Sequence, residues 1–501
     1  MTEQRAETAL RWVFAVLAGL TGLALAGHVM VMLHARHELT QVESIVAIQA
    51  LKLLRGEALY GDLQHYPFTV AAYGPVFYLL SAGLGALGLP VLLGGRLISL
   101  ASLIGVLALC RRLLGIYLSN RYAVWAGVLL IASSPILATW GTTGQVDMLA
   151  LFFALAALYL YSLFRTRGRT WHLFGAGACL IAALLTKQNM LASGAAIVVL
   201  LFLEDRRRGV RFALATGLCG AALALAINAA THGHYLDNAV RANLNPMSAE
   251  KFLRLGSKFL RFGGCMLIVV AASLRRAVGE GLHPLHAYLG ASAVLLALTA
   301  AKVGSELNYE METLLALGLC AAWSLDRLSF FPLWIRGAGD WVTLLGLPLL
   351  IQILASLSVS AMWMQDRWRR EDMRRAETAQ LAPYIQDASR RVLSVQIDPL
   401  LQLRGRIEVE PLIYTLLVEA GVSNPEPVRR DLAQRNFSLV ILYEDLFAEP
   451  GGPRNPEIPS LPREDLDELR KNYRLVGHIR GPYLNGDYLY APAAPVPEGA
   501  R

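Results

Sequence analysis

Residues 75–92 read PVFYLLSAGLGALGLPVL, and whether this stretch crosses a bilayer decides on which side every later segment lies. It is apolar, but short, rich in glycine and interrupted near its end by Pro90. A spanning helix needs about 20 consecutive apolar residues. Runs of that kind surround it, near 11–34, 94–113, 120–138, 148–164, 172–186, 189–204, 212–230, 259–274, 284–301, 311–325 and 341–362, eleven in all. The first run follows two arginines and contains Ala24-Leu25-Ala26, as a cleaved leader would, but it continues to Leu33 and is read as an uncleaved first helix.

Arginine placement settles the stretch. If the N-terminus is cytoplasmic and 75–92 does not cross, Arg111, Arg112 and Arg121; Arg165, Arg167 and Arg169; Arg206, Arg207, Arg208 and Arg211; Arg275 and Arg276; and Arg327 and Arg336 all fall on the cytoplasmic side. If it crosses, every one of these clusters moves outside. Residues 75–92 are therefore expected to form a re-entrant or surface-lying juxtamembrane helix. Only Arg367, Arg369, Arg370, Arg374 and Arg375, after the last span, resist this assignment, partly offset by Asp366, Glu371 and Asp372.

Composition agrees with a polytopic α-helical membrane protein of about 11 spans: 55% of the 501 residues are hydrophobic and 17% charged. The net charge of +8 is uneven, because residues 363–501 hold 19 basic and 21 acidic residues and 14 of the 22 prolines. A basic excess confined to short loops reports topology, and nucleic acid is excluded as a partner. Residues 1–362 thus form a membrane domain with an outer loop at 35–74. Residues 363–501 form a C-terminal soluble domain on the same extracytoplasmic side. Short β-like runs at Arg391–Ile397, Phe437–Tyr443 and Tyr473–Ile479, between helical and proline-rich segments such as Gly451–Pro462, make that domain α/β. Cys110, Cys179, Cys219, Cys265 and Cys320 all sit in or beside apolar runs without a CxxC pair, as packing residues do.

Several ionisable residues fall on the outer face. Thr40–Arg55 has Val42, Ile45, Val46, Leu53 and Leu54 on one side, which predicts an interfacial amphipathic helix with Glu43 in its first turn. Glu43 is read equally well as a helix-start carboxylate favoured by the dipole. Asp147, in GTTGQVDM, is either an N-cap or a site carboxylate. Lys187-Gln188-Asn189 interrupts two apolar runs, and a loop between helices requires no lysine at membrane depth. In Gly304–Glu312 three acids stand at a span entrance, with Glu312 drawn into the helix at a cost that implies a partner or a function.

Glu43, LLRGEALY at 53–60, YGPVFY at 73–78, VDMLA at 146–150, Thr186-Lys187-Gln188, and Gly304-Ser305 with Asn308-Tyr309 and Glu312 together resemble the GT-C glycosyltransferases. The likeness is greatest to the bacterial relatives of protein O-mannosyltransferases and of aminoarabinose transferases, over roughly residues 10–325. It implies transfer of a hexose or pentose from a polyprenyl-phosphate-linked donor to an acceptor (lipid, glycan or protein) at the extracytoplasmic face of a bacterial inner membrane, as part of cell-envelope chemistry. By that resemblance Glu43 is the catalytic base or a metal partner, and Asp147 the assisting acid, which orients the acceptor or binds a cation. The family often has Asp, or Asp-Glu, where Val42-Glu43 stands here. A divalent cation, Mg or Mn, is the cofactor the resemblance allows for, without assigned ligands, and no other is expected. The lysine that some relatives carry before the Pro-containing helix is missing between Phe68 and Tyr73, so Lys187 or Arg55 is considered for the lipid phosphate. Tyr60, Tyr73, Asn189 and Asn308 are candidates for sugar contacts, with Glu312 as a further site residue. A transporter or flippase of a polar lipid is the alternative, though it calls for repeated halves that the sequence lacks. A polytopic sensor would not require acids on several outer loops.

Overall fold

The computed structural model describes residues 3–243, 246–279, 281–331, 340–447, 460–481 and 486–493. Arg336 and residues 451–459 of the proline-rich loop lie outside them. The chain opens with α1 (Glu3–His34), α2 (Gln41–Leu54) and α3 (Pro75–Ala86). It continues through α4 (Val91–Tyr117), α5 (Arg121–Ala132), α6 (Pro135–Trp140), α7 (Asp147–Arg167), α8 (Thr170–Leu184) and α9 (Ala192–Glu204). There follow α10 (Arg206–Ala230), α11 (His234–Ala239), α12 (Ala249–Ala272), α13 (Leu274–Gly279), α14 (Pro284–Thr299), α15 (Met311–Arg327) and α16 (Asp340–Ile385).

Each of the eleven apolar runs has a helical counterpart, as it must where lipid offers the backbone no hydrogen bonds. Among the described residues, six helices are long and apolar enough to cross a membrane: α1, α4, α7, α10, α12 and α16 from Gly346. The run at 120–138 is two helices, because Pro135 cannot extend α5 and starts α6 behind the Ser134 cap. Pro75–Ala86 has 12 residues, about 18 Å of helix, too little to span. The stretch that decided the topology is thus a short helix, and its last two residues already belong to α4. With α8 at 15 residues and α9 at 13, the connection that carries Lys187 stays inside the bundle.

Beyond the bundle lie β1 (Val392–Ser394), α17 (Ile397–Arg404), α18 (Pro411–Glu419), α19 (Glu426–Ala433), β2 (Leu439–Leu442), α20 (Arg463–Asn472), β3 (Tyr473–Ile479) and β4 (Asp487–Pro492). The sheet runs β1-β2-β4-β3, with β1 and β2 parallel and the other two pairs antiparallel. Three strands match the expected runs; β4 was not anticipated.

Two expectations are corrected. The domain boundary at 362 falls inside one continuous 46-residue helix, α16, whose apolar half lies in the bundle and whose charged half meets the sheet. Nor is α2 an interfacial helix with a wet face. Glu43, Ser44, Val46, Ala47, Ile48, Gln49 and Ala50 are all buried, because α17 and the C-terminal sheet cover the side that would otherwise face water. Ala47 and Ile48 share a core with Leu381, Ile397, Leu400 and Ile441. The outer loop is stitched to the same unit: the Phe68 amide donates to the Glu408 carbonyl and the Glu410 amide to the Phe68 carbonyl. The arginines that resisted the topology are mostly consumed here. Arg374 pairs with Glu38 at 2.6 Å, Arg375 with Glu371 and Arg370 with Asp366.

At Gly74 the chain passes so close to α8 that a Cβ would stand 1.9 Å from the Leu185 carbonyl oxygen. The obstacle is backbone, so it has no rotamer by which to move aside. Gly74→Ala is expected to lower stability by at least about 1–3 kcal/mol, the usual range for overpacking. Thermal unfolding in detergent reads this directly; an unshifted midpoint would show that the two segments can separate freely.

Candidate active site

Two buried ion pairs organise the end of the bundle beneath the outer loop. The first joins Glu43 to Arg96, 0% and 1% exposed. Arg96 Nε donates to Oε1 at 2.8 Å and Nη2 to Oε2 at 3.0 Å, a bidentate fork. The Leu39 and Gly144 amides add a bond to each carboxylate oxygen, both 2.6 Å. The remaining guanidinium hydrogens go to the carbonyls of Met32, Ala35 and His37. Every donor of Arg96 is used and four donors converge on Glu43. Burial works to raise the Glu43 pKa, but Arg96 and the two amides outweigh it and hold it below the usual carboxylate value. A carboxylate so saturated is a poor proton acceptor. In this geometry Glu43 anchors Gly144, three residues before Asp147.

The second pair is Asp147 with Lys187, 1% and 2% exposed, Nζ to Oδ1 at 2.5 Å. Asn308 Nδ2 donates to the same oxygen at 2.8 Å, and the Lys187 ammonium lies 4.8 Å from the centre of the Tyr309 ring. This pair is not saturated, since Asp147 Oδ2 is buried without a hydrogen-bond partner. Asp147 opens α7 after a Val146 cap that makes no side-chain bond, so its carboxylate is free for the site rather than spent on the helix end. Lys187 is delivered by the gap between α8 and α9, where Gln188 Nε2 holds the Ala72 and Ala239 carbonyls. Lys302 lies close enough for Lys187 to help burial, the larger effect, lower its pKa.

The structure sorts the remaining candidates. The Tyr73 hydroxyl is held protonated by burial, with Asp147, Tyr309 and Glu410 around it. Tyr60 supports Tyr73, its hydroxyl bonding the Tyr73 carbonyl at 2.9 Å. Glu312 is buried at the start of α15 within electrostatic reach of Lys187, and Asn189 Oδ1 is buried without a partner. Arg55 is the exception. It stands exposed and donates to the Gly405 carbonyl at 2.8 Å, fastening the C-terminal unit.

Two further acids are buried near these residues, Glu410, which the sequence reading did not single out, and Glu310, one of the three acids at the span entrance. Glu410, from the C-terminal unit, is buried with Oε2 unpartnered, and burial pushes its pKa up to about 8 against a backbone bond from Val70. Glu310, beside Tyr309, has both oxygens buried without partners and is likewise raised by burial to about 8, with Lys258 opposing. In the sequence nothing separated Glu410 from the other acids of a polar tail. Among the described residues no three His, Cys, Asp or Glu side chains are arranged to hold a metal ion.

Comparison with known proteins gives this geometry a context. Residues 72–232 match the family described as dolichyl-phosphate-mannose-protein mannosyltransferase. No curated protein matches the chain. ArnT from Cupriavidus metallidurans in the apo state is similar over 97% of this chain and 98% of its own, at 15% identity and a TM-score of 0.60. The same protein bound to undecaprenyl phosphate is similar over 97% and 99%, at 15% identity and 0.58. The oligosaccharyltransferase AglB from Archaeoglobus fulgidus, in complex with an inhibitory peptide and a dolichol-phosphate, is similar over 96% of this chain and 75% of its own, at 12% and 0.55. The fold is therefore that of the GT-C membrane glycosyltransferases, as the sequence resemblance implied.

The raised acids set a pH dependence. A carboxyl whose pKa rises from 4.5 unfolded to about 8 folded binds more protons in the native state between those values, so stability falls as pH rises through that window. Each such group contributes a slope of at most about 1.4 kcal/mol per pH unit. Glu410→Gln is expected to flatten part of the decline in thermal stability between about pH 4.5 and 8, leaving the share due to the other raised acids, Glu310 and Glu38 among them. An unchanged decline would show that Glu410 is not buried as described.

Proposed function

We propose that this multi-pass membrane protein transfers a sugar from a polyprenyl-phosphate donor to a nucleophilic acceptor at the membrane face that carries Asp147, and that this face is extracytoplasmic. The single observation that carries the reading is the unsaturated Asp147–Lys187 pair, buried at the end of the bundle with Asn308 and Tyr309 about it. The fold shared with ArnT bound to undecaprenyl phosphate and with AglB bound to dolichol-phosphate supports the donor class. A lipid carrier also suits a site at membrane depth.

The acceptor's oxygen or nitrogen attacks the anomeric carbon while the bond from that carbon to the phosphate oxygen breaks. The proton released by the acceptor goes to Asp147 Oδ2, the oxygen left open. Lys187, with Lys302 behind it, neutralises the charge that develops on the departing phosphate. Asn308 fixes the Asp147 carboxylate so that Oδ1 stays bound and Oδ2 faces the acceptor. Glu43 acts one step removed by holding Gly144, and Tyr73 and Glu410 close the site from the loop and the C-terminal unit. No step is routed through a metal ion. The chain is placed in a bacterial inner membrane with its C-terminal unit outside, which puts all the paired arginines of α16 with that unit.

Transfer from a synthetic polyprenyl-phosphate sugar, measured across a donor titration, separates the roles. Asp147→Asn should lower turnover by roughly 10²–10⁴-fold with the fold retained. Lys187→Ala should weaken donor use far more than acceptor use, and Lys187→Arg should recover part of it through the retained charge. Glu43→Gln should lose stability first, because breaking a buried pair costs about 3–5 kcal/mol. A stable but inactive Glu43→Gln enzyme would return the base role to Glu43. Near-normal turnover in Asp147→Asn would sink the mechanism.

Sidedness is tested with single cysteines in a background lacking the native five. Ala58→Cys, on the exposed outer loop, should react with an impermeant thiol reagent in intact cells, and Thr170→Cys, at the start of α8, only after lysis. The opposite pattern would invert the topology and discard the extracytoplasmic site.

A further inference from the structure

Arginines at the end of the bundle away from Asp147 are of two kinds. Some have a carboxylate, as Arg165 with Glu204, Arg121 with Glu7 and Arg208 with Asp205, and others, Arg169, Arg206, Arg207 and Arg211, stand exposed without one among the described residues. Arg111 and Arg112 on α4 and Arg167 on α7 have none among the described residues, and these three line one cleft of about 520 Å³ between α4, α5 and α7. Arg121 reaches the same cleft, and Trp125, against which Arg111 packs at 5.5 Å, stands half exposed at its edge. Its floor is apolar, with Ile116, Leu118 and Leu163. Arginines that only set topology act through charge and can stand anywhere on their loops. Three unpaired guanidiniums around one apolar-floored cleft call for an anion with an apolar body.

The cleft's level in the membrane names the class. Asp147 and Arg167 begin and end the 21-residue helix α7, which at 1.5 Å per residue separates them by about 30 Å, one hydrocarbon thickness. The cleft therefore opens at the boundary opposite the sugar-transfer site, where the only abundant anions with apolar bodies are lipids. Trp125 is an interfacial aromatic in the position such residues favour. We propose that this cleft binds the phosphate headgroup of an anionic phospholipid, with Arg111, Arg112 and Arg167 on its oxygens and the acyl chains leaving along α4 and α5. Basic pockets between spans at such a boundary are a known solution for holding anionic headgroups.

The test uses the full chain in zwitterionic detergent, titrated with phosphatidylglycerol, phosphatidylcholine or inorganic phosphate, with binding read by native mass spectrometry and thermal shift. Phosphatidylglycerol should bind and raise the unfolding midpoint, and the other two should not. Arg111→Gln/Arg112→Gln/Arg167→Gln should lose this binding on the order of a hundredfold, each arginine at a membrane surface being worth about fivefold. Because removing three charges can also disturb insertion, Gly115→Trp serves as the second variant. Gly115 lines the cleft, and a Cβ there meets nothing within 4 Å, so the new ring fills the cleft with every arginine in place. Gly115→Trp should fold as wild type and lose the phosphatidylglycerol preference. Equal binding of both lipids, an effect of inorganic phosphate as large as that of the lipid, or a preference that survives Gly115→Trp would each overturn the assignment.

Discussion

A charge taken out of water must be met on all sides, and in this protein the Glu43–Arg96 pair meets that demand by recruiting five separate stretches of chain. The last turn of α1, the His37 turn, the start of α2, the body of α4 and the loop before α7 each contribute a hydrogen-bonding group. An isolated charge in a low-dielectric interior is prohibitively costly, and only this degree of satisfaction makes the burial tolerable. The constraint works in reverse as well. No one of the five stretches can shift without leaving a charge or an amide unmet, so the pair fixes the register in which the outer loop lies on the bundle. Gly74 against Leu185 and Arg367 against Thr142 and the Thr139 carbonyl extend the same fixation to α8 and α16.

Against that background the contrast between the two buried pairs is informative. Both are carboxylates joined to a cation at less than 3 Å, and composition does not tell them apart. What differs is the number of donors converging: four for Glu43, two on a single oxygen for Asp147. A saturated carboxylate is finished as structure, whereas one with an open oxygen in a dry site retains reactivity. Saturation, and not burial or charge, is what distinguishes the two pairs here.

The sequence made the scaffold legible because apolar runs and arginine clusters are written locally, within about 20 residues. It also pointed to Asp147, Lys187, Asn308 and Glu312, since polar groups at membrane depth stand out against their neighbours. It did not anticipate the saturation of Glu43, because its partner, Arg96, lies inside an apolar run 53 residues away. A lone arginine in a span was a visible signal that went unused. Glu410 was illegible for the opposite reason, as one acid among the 21 after residue 362. The amphipathic pattern of α2 was read correctly as a pattern, but what covers its polar side comes from residues 397–441, and no local periodicity records a partner so distant.

The order in which the chain is made gives the long helix α16 a meaning in time. Outer loop 35–74 leaves the ribosome first, while the groups that cover it, Arg374, Asp398 and Glu410, are translated more than 300 residues later and behind the last span. Until then Glu38 faces no cation and Phe68 has no strand to pair with. The proposed site therefore gains its roof only once α16 has been made and brings the sheet against the outer loop.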